Sequence, residues 1–513
     1  MTATSPQPAV PVTPGASAGR AVWRRAAGWA PPVVGLGLGA WGNTDPSAWT
    51  DEIVTIDVAR RSWPQLMELL GHVDAVHGLH YVLMYLVGQV AGVGEFTMRL
   101  PSAVAVAVAA AGLSRLGRLL GGPRLGLCAG LLLAVLPTAS RYAQEARSFA
   151  FVMAVAVLAT GALVKALSGD SRVRGPAGYA VLIALLGWLN VLGLLLVAAH
   201  AATIALRRPG RRSVVRLLLA QAAGIAAVVP LVILASAQRS AVGEAAPVTA
   251  GTPFNYFTWL LTPGQDTLPS VLKLLLTCTA LTALILLVVR RRNAPPLALA
   301  VGAPWLVVPP LLLAAVSLGH PLFSYRYLLF CLPALALLLA TAFAVAPTRP
   351  RLLFALLAAV PLAASHLAIR QEDSRPWDSH AVISTLRTHD TPGDAVLFSG
   401  GRCGLIATAF KEAFTGHPDL GRARTAAELG SLNDLPADPA LLQRRLAHAS
   451  RVWHITCNHL SADARQAAMR TTAVQEQLLK HAGFAPADHY SVRGLDITLE
   501  QRPTTGRPAP TQP

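Results

Sequence analysis

Residues 22–52 read VWRRAAGWAPPVVGLGLGAWGNTDPSAWTDE, and the fold class turns on this stretch. Arg24 and Arg25 precede an apolar run long enough to cross a hydrocarbon core of about 30 Å. The chain leaves that run at Gly42-Asn43-Thr44 and enters a segment dense in carboxylates. A basic flank on one side and an acidic one on the other orient the span with its start in the cytoplasm. The run has no convincing cleavage site, so it reads as an anchor and not as a removable signal peptide.

The pattern recurs as far as residue 368. After 22–43, apolar runs fall at 100–118, 125–139, 149–167, 213–236, 268–289, 295–316, 323–345 and 351–368. Residues 178–206 have basic sequence on both flanks, so they must leave and return as a hairpin of two short helices, which makes about 11 spans. With 53% hydrophobic and 13% charged residues, a chain of this kind cannot be a set of soluble domains. The net charge of +17 does not indicate nucleic acid. It sits in short loops between spans, at Arg115 with Arg118 and Arg124, Arg172 with Arg174, Arg207-Arg208 with Arg211-Arg212, Arg290 to Arg292, and Arg349 with Arg351.

Residues 79–95 test this topology. As a full span they would place the basic loop 115–124 outside, against the positive-inside rule. They suit an amphipathic helix lying in the interface, so the first outer loop runs from 44 to 98. That loop holds Asp45, Asp51, Glu52, Asp57, Glu68, Asp74 and Glu95 against only Arg60 and Arg61.

An odd number of spans puts the remainder outside. From residue 369 the apolar runs shorten to strand length, at 395–398 and 452–455, with helical periodicity at 377–389, 439–448 and 463–481. The expected organisation is a cytoplasmic disordered tail (1–21), a transmembrane unit (22–368), a small extracytoplasmic α/β domain (369–500) and a disordered terminus (501–513). Cys403 and Cys457 lie in that α/β region, where they could pair in an oxidising compartment or remain two free thiols.

Four elements carry candidate chemistry. Asp51-Glu52 lies just past the first span, where a positioned carboxylate could deprotonate a hydroxyl as it attacks an anomeric carbon. The same pair would also suit the first turn of a solvated helix, stabilised by the backbone dipole. In His72-Val73-Asp74-Ala75-Val76-His77, Asp74 and His77 could hold a divalent metal or a substrate, although such spacings arise by chance. Gln144-Glu145-Ala146-Arg147 would place Glu145 and a phosphate-binding guanidinium in a short outer loop. It could equally be a surface ion pair with its side chains reaching for water. Tyr325-Arg326-Tyr327, at the mouth of a later span, suits a phosphate or sugar, or an aromatic belt, and Arg99 before Leu100-Pro101-Ser102 is similar. There is no Walker A, dinucleotide-binding glycine pattern or HExxH.

In this order, on this topology, the elements resemble the GT-C superfamily of membrane glycosyltransferases, in the bacterial branch related to protein O-mannosyltransferases and the aminoarabinose transferase of lipid A. The resemblance covers about 50–370: Asp51-Glu52 with Ala59-Arg60, the Asp74 element, Gly94-Glu95-Phe96-Thr97-Met98-Arg99-Leu100-Pro101, Arg141-Tyr142-Ala143-Gln144-Glu145-Ala146-Arg147 and Tyr325-Arg326-Tyr327. Where the family often has His-Pro-Pro after an acid, this chain has Ala75-Val76-His77-Gly78.

The resemblance implies transfer of a sugar, mannose first among candidates, from a polyprenyl-phosphate donor to a lipid, glycan or protein acceptor at the outer membrane face. It implies Asp51 as general base, Glu52 and Asp74 supporting acceptor or metal placement, and Arg147 and Arg326 facing the donor phosphate. The rival class is a lipid-sugar flippase or polysaccharide export component. Such a protein would carry charges buried mid-span, whereas here the acids gather in the outer loop.

Overall fold

The computed structural model describes residues 28–168, 175–238, 247–263, 268–399, 402–458 and 462–503. The tail 1–21, Arg24, Arg25, Arg172, Arg174 and the terminus from 504 lie outside these residues.

Among the described residues, seven helices are long and apolar enough to cross a membrane: Glu95–Gly121, Phe149–Leu167, Arg211–Ala237, Ser270–Val289, Pro296–Ser317, Tyr325–Val345 and Thr348–Ala368. Pro123–Val135 and Pro137–Ala143 form an eighth crossing if counted together, bent by 60°. Pro137 explains the bend, because it has no amide hydrogen to donate and its ring crowds the preceding turn. The residues expected to form the hairpin fold as the shorter apolar helices Gly175–Leu189 and Val191–Arg207. The first span is described as a helix over 28–40. Among the described residues, each of the eleven expected segments is helical, and seven have full crossing length as single helices.

Alanine and glycine let the helices approach closely. At Gly126 an added Cβ would come within 2.4 Å of the Ser114 carbonyl, so the 95–121 and 123–135 helices touch backbone to backbone there. The faces turned away from the bundle are apolar, with Val271, Ile285, Leu311 and Leu356 among the exposed side chains. His200 is an exception to the apolar interiors expected from the sequence. It is buried between the Tyr179 hydroxyl at 2.7 Å and the Thr160 hydroxyl at 3.0 Å.

Gly78–Ala91 is a helix of 14 residues, about 21 Å long and too short for a crossing. It packs on the helix Thr50–Arg60, with Gly88 against Ala59 at a point where a Cβ would crowd the Val93 side chain. Residues 140–148, expected as an exposed polar loop, are instead buried almost throughout. The chain there bends under the first outer loop and does not emerge into water.

The C-terminal region contains strands β1 (Ala395–Ser399), β2 (Arg422–Arg424), β3 (Leu435–Pro436), β4 (Arg451–Cys457), β5 (Ala485–Val492) and β6 (Leu495–Gln501). Four of them form a sheet in the order β1-β4-β6-β5, with β1 parallel to β4 and the other pairs antiparallel. Helices at Ser379–His389, Pro439–Ala447 and Ala462–His481 match the expected periodicities within a few residues. A disulfide joins Cys403 to Cys457.

This region and the first outer loop share one hydrophobic core. Ile53, Ile56, Leu66 and Tyr81 pack in the same cluster as Trp377, Phe398, Leu405 and Trp453. Polar clamps close its edges. Ser47 Oγ donates to Asp378 at 2.6 Å, His380 meets Glu95 at 2.8 Å, and Arg61 Nη2 donates to the Ser431 carbonyl at 2.8 Å.

Candidate active site

Asp51 and Glu52 occupy the first turn of the 50–60 helix, where the backbone dipole favours negative charge. Successive residues on a helix point about 100° apart, and these two side chains meet different surroundings.

Glu52 points inward and is fully buried. It accepts from Arg99 Nε at 2.7 Å and Arg99 Nη2 at 3.0 Å, and from the Ala146 amide at 3.0 Å. Arg99 is equally buried and spends its remaining donors on the Asn43 and Pro46 carbonyls, with Glu95 at 3.7 Å. Neither residue has bonding capacity facing an open site. The sequence suggested a catalytic role for Glu52 and a substrate contact for Arg99; their partners make them a clamp. The clamp aims a neighbour, because the Ala146 carbonyl is held from the other side by His80 Nε2 at 3.2 Å. With Ala146 fixed at both ends, Arg147 has one direction to project.

Asp51 takes the other direction. Its Oδ2 accepts from Arg326 Nη1 at 2.7 Å and lies 4.0 Å from Arg147 Nε. Arg147 Nη2 meets His77 Nε2 at 3.1 Å. His77 Nε2 stands 3.9 Å from Asp74 Oδ1, and the Tyr81 hydroxyl donates to Asp74 Oδ2 at 2.6 Å. Asp51, Asp74, His77, Arg147 and Arg326 therefore form one connected line, assembled from residues up to 275 positions apart. Asp74 holds its place with a left-handed backbone, φ 61°, a conformation that costs most residues energy and is concentrated at functional sites.

Charge organises this line. Burial alone would raise the Asp51 carboxyl, but Arg147, Arg326 and Arg402 outweigh it and hold the pKa below the usual carboxylate range. Burial pushes His77 down to about 4, against the pull of Asp74, so its ring is neutral at neutral pH. Nε2 then accepts from Arg147 and the proton resides on Nδ1, which has no partner. Arg147 Nε and Trp49 Nε1 are likewise buried without a hydrogen-bond acceptor. The Arg326 guanidinium lies 5.6 Å from the Trp49 ring centroid and 5.8 Å from that of Tyr327. Two guanidiniums meet a single carboxylate, and buried donors on neighbouring side chains go unfilled, a surplus suited to an anion.

Glu145 and Tyr325 fall outside the line. Glu145 is buried between Arg141 at 3.8 Å and Arg375 at 4.0 Å, and burial, helped by the charges of Glu52 and Asp51, pushes its carboxyl up to about 7 against the pull of Arg141. Tyr325 stacks in an aromatic group with Trp259 at 5.9 Å and Tyr256 at 6.1 Å. The acids and histidines do not suit a metal. Glu52 is saturated, Asp74 is engaged by Tyr81, and no group of three or more metal-ligating side chains occurs among the described residues.

The sequence reading missed Trp49, His80, Tyr81, Arg375 and Arg402. Tyr81 was accessible, since it follows His77 by four residues and Asp74 by seven, one face of a helix. Arg402, whose charge reaches Asp51, carries no local signal.

No protein-family model matches the sequence, and no curated protein matches it. Solved structures do. ArnT from Cupriavidus metallidurans in the apo state superposes with a TM-score of 0.57 at 13% identity, over 94% of this chain and 98% of that one. The same protein bound to undecaprenyl phosphate gives 0.55 at 12% identity, over 93% and 98%. The fold is that of these two ArnT structures. The superposition takes in the C-terminal sheet region as well as the helices, since nearly the full length of both chains is matched.

Proposed function

We propose that this protein transfers a sugar from a polyprenyl-phosphate donor to a lipid, glycan or protein acceptor at the outer face of the membrane. The observation that carries the reading is the Asp51 carboxylate set between Arg147 and Arg326 with buried, unfilled donors around it. The related ArnT structure with undecaprenyl phosphate supports a lipid-phosphate ligand. The Cys403–Cys457 disulfide supports an oxidising, outward-facing compartment for the C-terminal region, and with it a cytoplasmic N-terminus. Residues 22–368 would be the catalytic unit and 369–500 an α/β domain closing over it. Mannose is the first sugar to test.

In this reading a donor phosphodiester carries one negative charge and takes the guanidiniums of Arg147 and Arg326. Neutralising those cations relaxes their hold on Asp51, so its affinity for a proton rises as the donor binds. The C1–O bond to phosphate breaks through an oxocarbenium-like state, the acceptor hydroxyl bonds to C1 from the opposite face, and its proton passes to Asp51. The leaving polyprenyl phosphate gains a second negative charge, and the two arginines are placed to stabilise it. The configuration at C1 inverts. His77 and Asp74 act one step back, through Arg147.

Membranes carrying the protein, given radiolabelled polyprenyl-phosphate mannose, should yield a labelled product that Asp51→Asn abolishes while expression and folding stay intact. Near-normal turnover by Asp51→Asn would overturn the assignment. No product from any polyprenyl-phosphate sugar would favour the flippase reading.

A further inference from the structure

The 50–60 helix has a second functional end. Its first turn carries Asp51, and its last residues, with Arg61 just beyond, enter the wall of a cavity of about 370 Å³. Nine residues separate Asp51 from Arg60, a rise of about 14 Å along the axis. The opposite wall comes from the C-terminal region, through Thr408, Lys411, Phe414 and Arg422. The cavity thus lies in the seam between the outer loop and the sheet region, on the same rigid rod as the proposed base.

Its lining is cationic. Arg60, Arg61, Lys411 and Arg422 face it against the carboxylates Asp57 and Asp419. Arg61 is 4% exposed and bonds Asp57 and the Ser431 carbonyl, yet its Nη1 has no acceptor. Nη1 of Arg422 is also buried without a hydrogen-bond acceptor, with the Asp434 carboxylate 3.8 Å away. A buried guanidinium nitrogen without an acceptor carries a desolvation cost that a bound anion would remove. The Phe414 ring adds a flat apolar surface, and Gln65 and Thr408 add hydrogen-bonding groups. A flat apolar face beside polar and cationic groups is the chemistry of a sugar bearing an acidic substituent. The volume is at the small end for ligand sites, and suits one or two sugar rings better than a lipid tail.

We propose that this cavity is a distal acceptor subsite for an anionic sugar, carrying phosphate or carboxylate, and that the 50–60 helix sets its distance from Asp51. The proposal rests on the glycosyltransferase reading of the Asp51 site. It makes the acceptor an acidic glycan whose charged unit is anchored a few sugar residues from the hydroxyl that reacts.

The test measures binding, not turnover. Full-length protein in detergent is titrated with glucose 6-phosphate, glucuronic acid, glucose and inorganic phosphate, followed by saturation-transfer NMR and calorimetry. The two acidic sugars should bind, with glucose and inorganic phosphate each weaker by about tenfold or more, because each lacks one half of the recognition. Lys411→Glu reverses an exposed charge on the rim, and Thr408→Trp fills the cavity. Both should abolish the binding, with circular dichroism and the disulfide unchanged. Asp51→Asn should bind the acidic sugars normally while losing transfer, so the fate of this subsite is separable from that of the catalytic reading. Equal binding of glucose and glucose 6-phosphate, full competition by inorganic phosphate alone, or unchanged binding in both cavity variants would each overturn the proposal.

Discussion

Two arginine–carboxylate centres stand back to back on the first turn of one helix. At Glu52–Arg99 the carboxylate accepts three hydrogen bonds and the guanidinium donates four, both side chains are about 1% exposed, and the pair holds backbone in place. At Asp51–Arg147–Arg326 the carboxylate is 17% and Arg326 33% exposed, and donors are left over. The residue types are the same and the roles differ. A saturated buried pair is structure, whereas an unsaturated pair at the edge of water has capacity to bind and react. Charge type alone would not have separated them; counting partners does.

The widest separation between the two centres should come from Asp51→Asn set beside Glu52→Ala. The first should lower transfer by about 10²–10⁴ while shifting the melting temperature by less than the second. The second leaves Arg99 buried and unpaired, so it should cost about 3–5 kcal/mol of stability, read as lost yield and melting temperature, with activity per folded molecule less affected. If Glu52→Ala proved stable but inactive, the division between the centres would fail.

A smaller effect belongs to Arg326→Lys. It keeps the charge and loses the planar fork, so the donor KM should rise by about tenfold while the melting temperature holds. The equivalent change at Arg99 should move stability instead.

Glu145 gives a pH signature. Its carboxyl is raised to about 7 in the folded chain from 4.5. A raised carboxyl contributes stability that is complete below the unfolded value and is lost as pH climbs to the folded one. Wild-type stability relative to Glu145→Gln should therefore fall between about pH 4.5 and 7 and be flat outside that window. Asp51, lowered in the folded state, has the opposite sign: its contribution is present above 3.8 and is lost only as pH falls through its depressed pKa. The smallest effect is expected at Arg60–Glu412, where Glu412 is 64% exposed. Glu412→Gln should cost about 0–1 kcal/mol, within the error of a denaturant midpoint.

The bundle was legible because a bilayer demands long apolar runs, and those runs survive any rearrangement of neighbours. The strands β1 and β4 and the three helices around them were legible for a similar reason, since periodicity is local. β5 and β6 gave less signal, because most of the β5 side chains are exposed. Asp51, Asp74, Arg147 and Arg326 stood out as polar residues at expected membrane boundaries. Glu52 could not be told from Asp51, because the partner that separates them is 47 residues away. Arg402 and the cavity were out of reach altogether. They exist only where segments near 60 and 410 meet, and nothing local in either segment encodes the other.

The shared core of outer loop and C-terminal region has a consequence for the making of the protein. Ile53, Ile56 and Leu66 emerge early in synthesis, but Trp453, Ile497 and Leu499, which complete their packing, come more than 380 residues later. Contacts of such long sequence separation form slowly. The loop that carries Asp51, the proposed base, must wait, uncovered, while the spans insert and the last strand arrives. A nascent or truncated chain can thus be fully threaded through the bilayer and still have no working centre, which makes the appearance of activity a clock for the final folding step.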